Sequence, residues 1–217
     1  MNDNNIKIQF LGGAGTVSGS KYLVTTFDKK ILIDCGLFQG LKELRRLNWQ
    51  PLPVSAASID TVLLTHAHLD HTGYLPRLVD SGFRGSINAT SPTLQITKII
   101  LEDSAKIQEE DAERANRFGY TKHKPALPLY GVEQVRKALP LFKQQPLDEW
   151  IVIDSNVRYR FRYNGHIVGA TSIELQAGGK TLVFSGDIGR QVDPLLYPPH
   201  KPEKADILFI EATYGNR

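Results

Sequence analysis

Three histidines and an aspartate fall within six consecutive residues, His66-Ala67-His68-Leu69-Asp70-His71, and this stretch constrains the chain more than any other. It follows an apolar run over residues 59–64, broken only by Asp60 and Thr61, which predicts a short buried strand ending at Thr65. Side chains alternate along an extended segment, so His66 and His68 point the same way. Asp70 and His71 then stand where the chain turns into a predicted helix carrying Tyr74, Leu75, Leu78 and Val79. Neutral imidazoles and a carboxylate are the ligand types that suit zinc and its borderline neighbours. Asp70 alone would read as a helix cap and a single histidine as an ordinary surface residue. Three of the chain's six histidines lie in this stretch, however, and one metal site accounts for them together with Asp70.

A chain of 217 residues can bury a substantial core and fits one large domain. Its hydrophobic and charged fractions, 41% and 23%, are those of an ordinary globular protein and argue against wholesale disorder. No apolar run approaches the roughly 20 residues that cross a bilayer, and residues 1–5 lack the basic and apolar segments of a leader peptide. A cytoplasmic protein with no membrane partner is therefore expected. Cys35 is alone, which rules out an internal disulfide and suits a reducing compartment. Without a partner base nearby it reads as a small buried filler rather than a nucleophile. A formal charge of +3 and a pI near 8.9 permit a polyanionic partner without demanding one.

Along the rest of the chain, residues 6–11 alternate as a first strand and lead into the glycine-rich residues 12–20. Neither dinucleotide nor P-loop spacing is present there, so the glycines predict a tight turn and close backbone approach near the site. Strands over residues 22–27 and 30–33 are expected to pair as a hairpin through Asp28-Lys29, and the second ends at Asp34, a residue type common in turns. Residues 37–50 predict a loop and short helix whose Lys42, Arg45 and Arg46 form a solvated face. Residues 86–89 give a weak strand signal. Ser91 as cap and Pro92 as first helical residue open a helix to about residue 117, with Ile96, Ile99, Ile100 and Ile107 as its apolar stripe. Residues 118–128 form a linker with an exposed His123, and residues 132–139 a short helix stopped by Pro140. Strict alternation over residues 157–163 predicts a half-buried strand with Arg158, Arg160 and Arg162 on a solvated face. A hairpin over residues 172–184 turns about residues 177–179, and an apolar strand follows at residues 207–210. His166 and Asp187 each stand just beyond a strand's end, as the first cluster does.

The run from His66 to His71 resembles the H-x-H-x-D-H signature of the metallo-β-lactamase superfamily, hydrolases with an αββα sandwich and a two-metal site at one edge of the sheets. His166 and Asp187 match the later ligand motifs of that superfamily in order and context. The residues Glu211-Ala212-Thr213-Tyr214-Gly215-Asn216-Arg217 sharpen the resemblance towards its β-CASP branch, the RNA- and DNA-cleaving nucleases. Residues 15–20, 34–40 and 127–130 are similar to bacterial and archaeal members akin to RNA 3′-end processing endonucleases, so the likeness covers nearly the whole chain.

The resemblance implies an α/β (α+β) fold, one metallo-β-lactamase-like domain over residues 1–217, truncated before the β-CASP cap and the closing strands. It implies that His66, His68 and His166 hold one metal, that Asp70 and His71 hold a second, and that Asp187 bridges the two. Asp34 would support the site from behind by holding a loop or a ligand imidazole. Two zinc ions are the expected cofactors, the second site incomplete in this chain, with manganese as the alternative. The implied reaction is two-metal phosphodiester hydrolysis of single-stranded RNA, with DNA left open and activity of the truncated chain impaired. Asp70 would also accept a proton from the attacking water, and Glu211 would pair with a cap-side histidine that protonates the leaving oxygen. An exposed sheet edge would give a route to a homo-oligomer. A thioester or lactam hydrolase would share every ligand, but the signature from Glu211 onward favours a nuclease. A di-iron oxidoreductase of this scaffold carries an acid where this chain has His68. A non-catalytic, metal-stabilised RNA-binding module is the alternative of a different class.

Overall fold

A computed structural model describes residues 6–213 and residue 215 of the chain; Tyr214, Asn216 and Arg217 of the terminal signature lie outside the described residues. The apolar runs sort into two sheets. The first has the order β1 (Ile6–Gly12), β2 (Lys21–Thr26), β3 (Lys29–Ile33), β4 (Thr61–Leu63), β5 (Ser86–Ala89) and β6 (Phe142–Gln144). Its first three strands are antiparallel neighbours, and β3 to β6 run parallel. The second has the order β11 (Ile207–Phe209), β10 (Lys180–Phe184), β9 (Thr171–Ala177), β8 (Val157–Tyr163) and β7 (Ile151–Asp154). It is antiparallel except where β11 joins β10 in parallel. The helices are α1 (Lys42–Leu47), α2 (Leu69–Thr72), α3 (Leu75–Asp80), α4 (Ser91–Phe118) and α5 (Val132–Ala138).

The inner strands of the first sheet, β2 to β5, are buried on both faces, as their Val, Ile and Leu content requires. One face, with Leu23, Leu32, Val62, Leu64 and Ile87, packs on Leu75 and Leu78 of α3, Leu94 and Leu101 of α4, and Val135 of α5. The other, with Val24, Ile31, Ile33 and Leu63, meets Tyr159, Phe161, Ile173, Leu175, Leu182 and Phe184 of the second sheet. The order of layers is therefore helices, sheet, sheet. No helix covers the outer face of the second sheet among the described residues. None of the helices is long and apolar enough to cross a membrane.

Several local expectations shift. The β2–β3 turn falls on Phe27-Asp28, one residue early, because Thr26 pairs with Lys29. The cap of α4 is Thr90, which moves Ser91 and Pro92 to its first two positions. Its buried face is Thr93, Leu94, Thr97, Leu101 and Ala105, whereas Ile99 and Ile107 are exposed. The isoleucine stripe is helical in period but lies off the face that meets the sheet. The helix expected after His71 is two pieces, since α2 is a single turn ended by Gly73 before Tyr74 caps α3. Two short strands, β6 and β7, had no usable alternation. The arginine face is paired rather than simply solvated: Arg160 lies opposite Glu174 in register and donates to it at 2.8 Å. Arg162 meets Asp148 at 2.9 Å, and Trp150 lies 4.6 Å from both Arg158 and Arg160.

Lys21, at the start of β2, is buried although it carries a charge. Its ammonium donates to the carbonyls of Gly19 (3.1 Å) and Gly36 (2.5 Å) and lies over the rings of Phe38 and Tyr74. It ties the glycine-rich loop to the end of β3. Burial brings its pKa down to about 8 against a smaller opposing influence of Cys35. The unfolded chain then binds more protons than the folded one between about pH 8 and the ordinary lysine value, so folding stability should rise with pH across that window. Compared with Lys21→Met, the wild type should gain roughly 2–3 kcal/mol between pH 7 and pH 10. Urea unfolding at the two pH values measures this; an unchanged difference would show that the buried ammonium carries no desolvation penalty. Cys35 is fully buried, and burial pushes its thiol up to about 12, which fits the filler expected of it.

Candidate metal centre

The site lies where strands from both sheets end. Asp34 follows β3, His66 and His68 follow β4, His166 follows β8, Asp187 follows β10 and Glu211 follows β11. The two sheets are joined here by Thr171, whose backbone N–H and hydroxyl both donate to the Thr65 carbonyl, at 2.8 and 3.1 Å. The α2 turn is pinned from two sides. Thr72 donates its hydroxyl to the Ala67 and His68 carbonyls, closing the turn on itself. The segment after β3 runs alongside: Cys35 N–H donates to the His71 carbonyl at 2.7 Å and Leu37 N–H to the Leu69 carbonyl at 2.9 Å. Between them Gly36 lies so close to the Asp70 carbonyl that any Cβ would collide with it, so only glycine fits. The glycine-rich loop abuts the same carbonyl, which accepts from Ser20 N–H at 2.8 Å.

This scaffold brings His66, His68, His166 and Asp187 together. One donor atom from each lies within 4.8 Å of the others, a group that could hold a metal ion. His68 Nδ1 is 3.0 Å from His66 Nε2 and 3.2 Å from His166 Nε2. Asp187 Oδ2 is 3.7 Å from His66 Nε2 and 3.5 Å from His166 Nε2. The other oxygen, Oδ1, lies 3.3 Å from His71 Nε2, and that nitrogen is 3.9 Å from Asp70 Oδ2. One carboxylate thus faces three imidazoles with one oxygen and the Asp70–His71 pair with the other.

The groups behind these side chains decide which ring nitrogens are free. Asp34 is buried, and its backbone adopts a left-handed φ of 57° that turns the carboxylate towards residues 65 and 71. It accepts from Thr65 N–H at 2.8 Å and from the Thr65 hydroxyl at 2.9 Å, and lies 2.7 Å from His71 Nδ1. With Nδ1 held there, His71 presents Nε2 to the centre. The Thr65 hydroxyl, 3.0 Å from His66 Nδ1, orients His66 in the same sense. Burial, then the neighbouring imidazoles, hold the pKa of His66 well below its ordinary value, so its ring is neutral. His166 is lowered too, by burial first and by His68 against the opposing charge of Asp187. For His71 burial works downward, but Asp34 and Asp187 override it and push the pKa up to about 10. Burial works upward on Asp187, and the hydrogen bond and charge of His71 with the nearby imidazoles bring it below its ordinary value. The donor set of imidazoles and carboxylates fits a divalent cation of the zinc or manganese type, and His71 would join it by giving up the proton that Asp34 and Asp187 favour.

Glu211 reaches the rim. Its Oε1 accepts from Ile188 N–H at 2.5 Å, and its own N–H donates to the Ser185 hydroxyl at 3.0 Å, so it braces the loop that carries Asp187. His123 is exposed in the linker after α4, away from the cluster. Two residues that shape the site, Thr65 and Asn164, carry no signal in composition or period.

A two-sheet sandwich with helices on one side and an imidazole–carboxylate cluster at the strand ends defines an α/β protein with a candidate metal centre. The chain belongs to the metallo-β-lactamase superfamily, whose family model matches residues 14–213. It is 36% identical over 212 residues to ribonuclease TTHA0252 of Thermus thermophilus, covering 98% of this chain and 44% of that protein. It is 32% identical over 220 residues to an Integrator complex subunit 11 homolog of Dictyostelium discoideum, covering 97% of this chain and 27% of that protein. It is 30% identical over 220 residues to transcription termination factor FttA of Cenarchaeum symbiosum, covering 98% of this chain and 32% of that protein. The chain thus spans less than half the length of these relatives. Among solved structures, a HARLDQ-motif mutant metallo-β-lactamase of Cronobacter sakazakii shares the fold, with a TM-score of 0.50, 24% identity, and coverage of 87% of this chain and 62% of that one.

Proposed function

We propose that this chain is the metal-binding part of a metal-dependent phosphodiesterase that acts on RNA, and that it belongs to the β-CASP branch its sequence resembles. In this reading His66, His68 and His166 would hold one ion, Asp70 and His71 would hold the second, and Asp187 would serve both. Zinc suits the imidazole-rich set, and manganese is the second candidate. The observation that carries the reading is the orientation of Asp187, whose Oδ2 is 3.5–3.7 Å from His166 and His66 while its Oδ1 is 3.3 Å from His71. The relative named as a ribonuclease supports RNA as substrate, and single strands are the form we assign.

When bound, the ions supply an acidified water and positive charge against the phosphate oxygens. The chain's own groups do the rest. Asp34 and Thr65 fix which nitrogens of His71 and His66 face the centre. Asp70, beside His71, is positioned to accept a proton from the attacking water. Glu211 holds the Asp187 loop through Ile188, and its carboxylate would pair with a histidine that protonates the leaving oxygen. We assign the protein to the cytoplasm, and the open edge of β11 is the route by which copies of the chain would associate.

The test is elemental mass spectrometry of the purified, desalted chain, followed by incubation with end-labelled single-stranded RNA. Two metal equivalents and chelator-sensitive cleavage are expected where both sites fill, and one equivalent where the second site needs further ligands. No bound metal overturns the reading. RNA binding without cleavage at two equivalents would make the chain a binding module. Hydrolysis of a thioester or lactam with RNA untouched would make it a small-molecule hydrolase.

A further inference from the structure

His166 and Asp187 come from strands that do not touch, since β9 lies between β8 and β10. Something other than sheet pairing must set the gap between their loops. Asn164, the residue after β8, is 2% exposed and spans it. Its side-chain Nδ2 donates to the Ser185 carbonyl at 3.0 Å and the Asp187 carbonyl at 2.8 Å. Its Oδ1 accepts from His166 N–H at 3.2 Å. Its backbone carbonyl accepts from Gly189 N–H at 2.9 Å, and its N–H donates to the Ala170 carbonyl at 3.3 Å. Both side-chain donors and the side-chain acceptor are therefore used on the two loops that carry His166 and Asp187. Gly189 completes the join: it packs so tightly on the Gly165 carbonyl that a Cβ would collide there.

A planar amide has one acceptor side and two donors in fixed directions, and burying it is favourable only when these are satisfied. The amide can satisfy them here only while the two loops keep one separation. We infer that Asn164 is a positioning residue that sets the spacing of His166 and Asp187 and thereby the affinity of the centre for metal. The inference rests on the metal-binding reading above. Aspartate at this position keeps the acceptor for His166 N–H but turns an oxygen, with no hydrogen to offer, towards the two carbonyls. Alanine removes all three bonds. In either variant the side-chain tie between the two loops is lost, the main-chain bond from Gly189 N–H to the residue-164 carbonyl stays, and the six metal-facing side chains remain.

The experiment is titration of the metal-free chain with Co2+, read by its visible spectrum, together with thermal melting of the metal-free form. Asn164→Ala and Asn164→Asp should each weaken Co2+ binding about 10- to 100-fold, the range for groups that orient ligands, and should alter the visible bands. The control is Asn88→Ala. Asn88 is as buried, with side-chain bonds to Thr61, Ser86 and Gln145 in the first sheet, and its loss should lower the melting temperature without moving Co2+ affinity or spectrum. If Asn164→Ala does not fold, Asn164→Asp carries the test. A lowered melting temperature with wild-type affinity and spectrum would reduce Asn164 to a structural residue and overturn the inference. A wild type that takes up no Co2+ would instead overturn the metal-binding reading on which it rests.

Discussion

Replacing His68 by alanine is expected to abolish tight metal binding, while His123→Ala leaves it unchanged. His68 contributes a donor atom that lies close to two other imidazoles, with Nδ1 3.0 Å from His66 Nε2 and 3.2 Å from His166 Nε2. Without it, an ion would keep two imidazoles and one carboxylate oxygen, and water would have to supply the missing ligand. The loss should exceed the roughly 100-fold ceiling seen for groups that merely orient ligands. His68 is partly exposed, so its removal should leave the fold intact and the metal-free melting temperature close to wild type. His123 sits exposed in a linker and serves as the matched control. Isothermal titration with Zn2+ in a competing chelator reads both variants. Equal losses would sink the ligand assignment, and no loss in either would mean that metal binds elsewhere.

Asp34→Ala should instead cost stability, by about 3–5 kcal/mol, the penalty for removing one partner of a buried ionic pair. The carboxylate accepts from Thr65 twice and lies 2.7 Å from His71 Nδ1, with both ends of that pair buried. Its removal leaves the Thr65 backbone N–H without its partner and His71 Nδ1 with only the Thr65 hydroxyl, 3.4 Å away. It also frees His71 to rotate, so metal binding should fall in parallel. Asp34→Asn keeps the volume and an acceptor for Thr65 but loses the charge opposite His71, and should fall between alanine and wild type. Urea unfolding of the metal-free proteins measures the first effect and metal titration the second. An alanine variant within 1 kcal/mol of wild type would show that water replaces the carboxylate and that Asp34 does not hold the site.

The parts of this molecule that could be read from its residues are those governed by short-range chemistry. The run from His66 to His71 announced ligand chemistry because four suitable side chains within six residues have few other uses. The strict alternation of residues 157–163 gave β8 to the residue, and the Gly178-Gly179 turn gave the β9–β10 hairpin. The readings that shifted share one cause, the identity of a neighbour distant in sequence. Ile99 and Ile107 have the right period for a buried stripe, yet the sheet meets α4 along Thr93, Thr97 and Leu101. Arg160 and Arg162 share a solvent-side face in any isolated strand, and only the register with β9 sets Glu174 against Arg160.

The sequence by itself determined the kind of chemistry: which side chains can bind metal, that His166 and Asp187 follow strands, and the superfamily they resemble. Tertiary structure alone decided how those side chains meet. Asp34, 31 residues from Thr65 and 37 from His71, selects their orientation, and Asn164 ties two loops whose strands never pair. Ligand type is a property of single residues and survives in a string of letters. The few ångströms between donor atoms are set by hydrogen bonds between segments far apart in the chain, which no local pattern encodes.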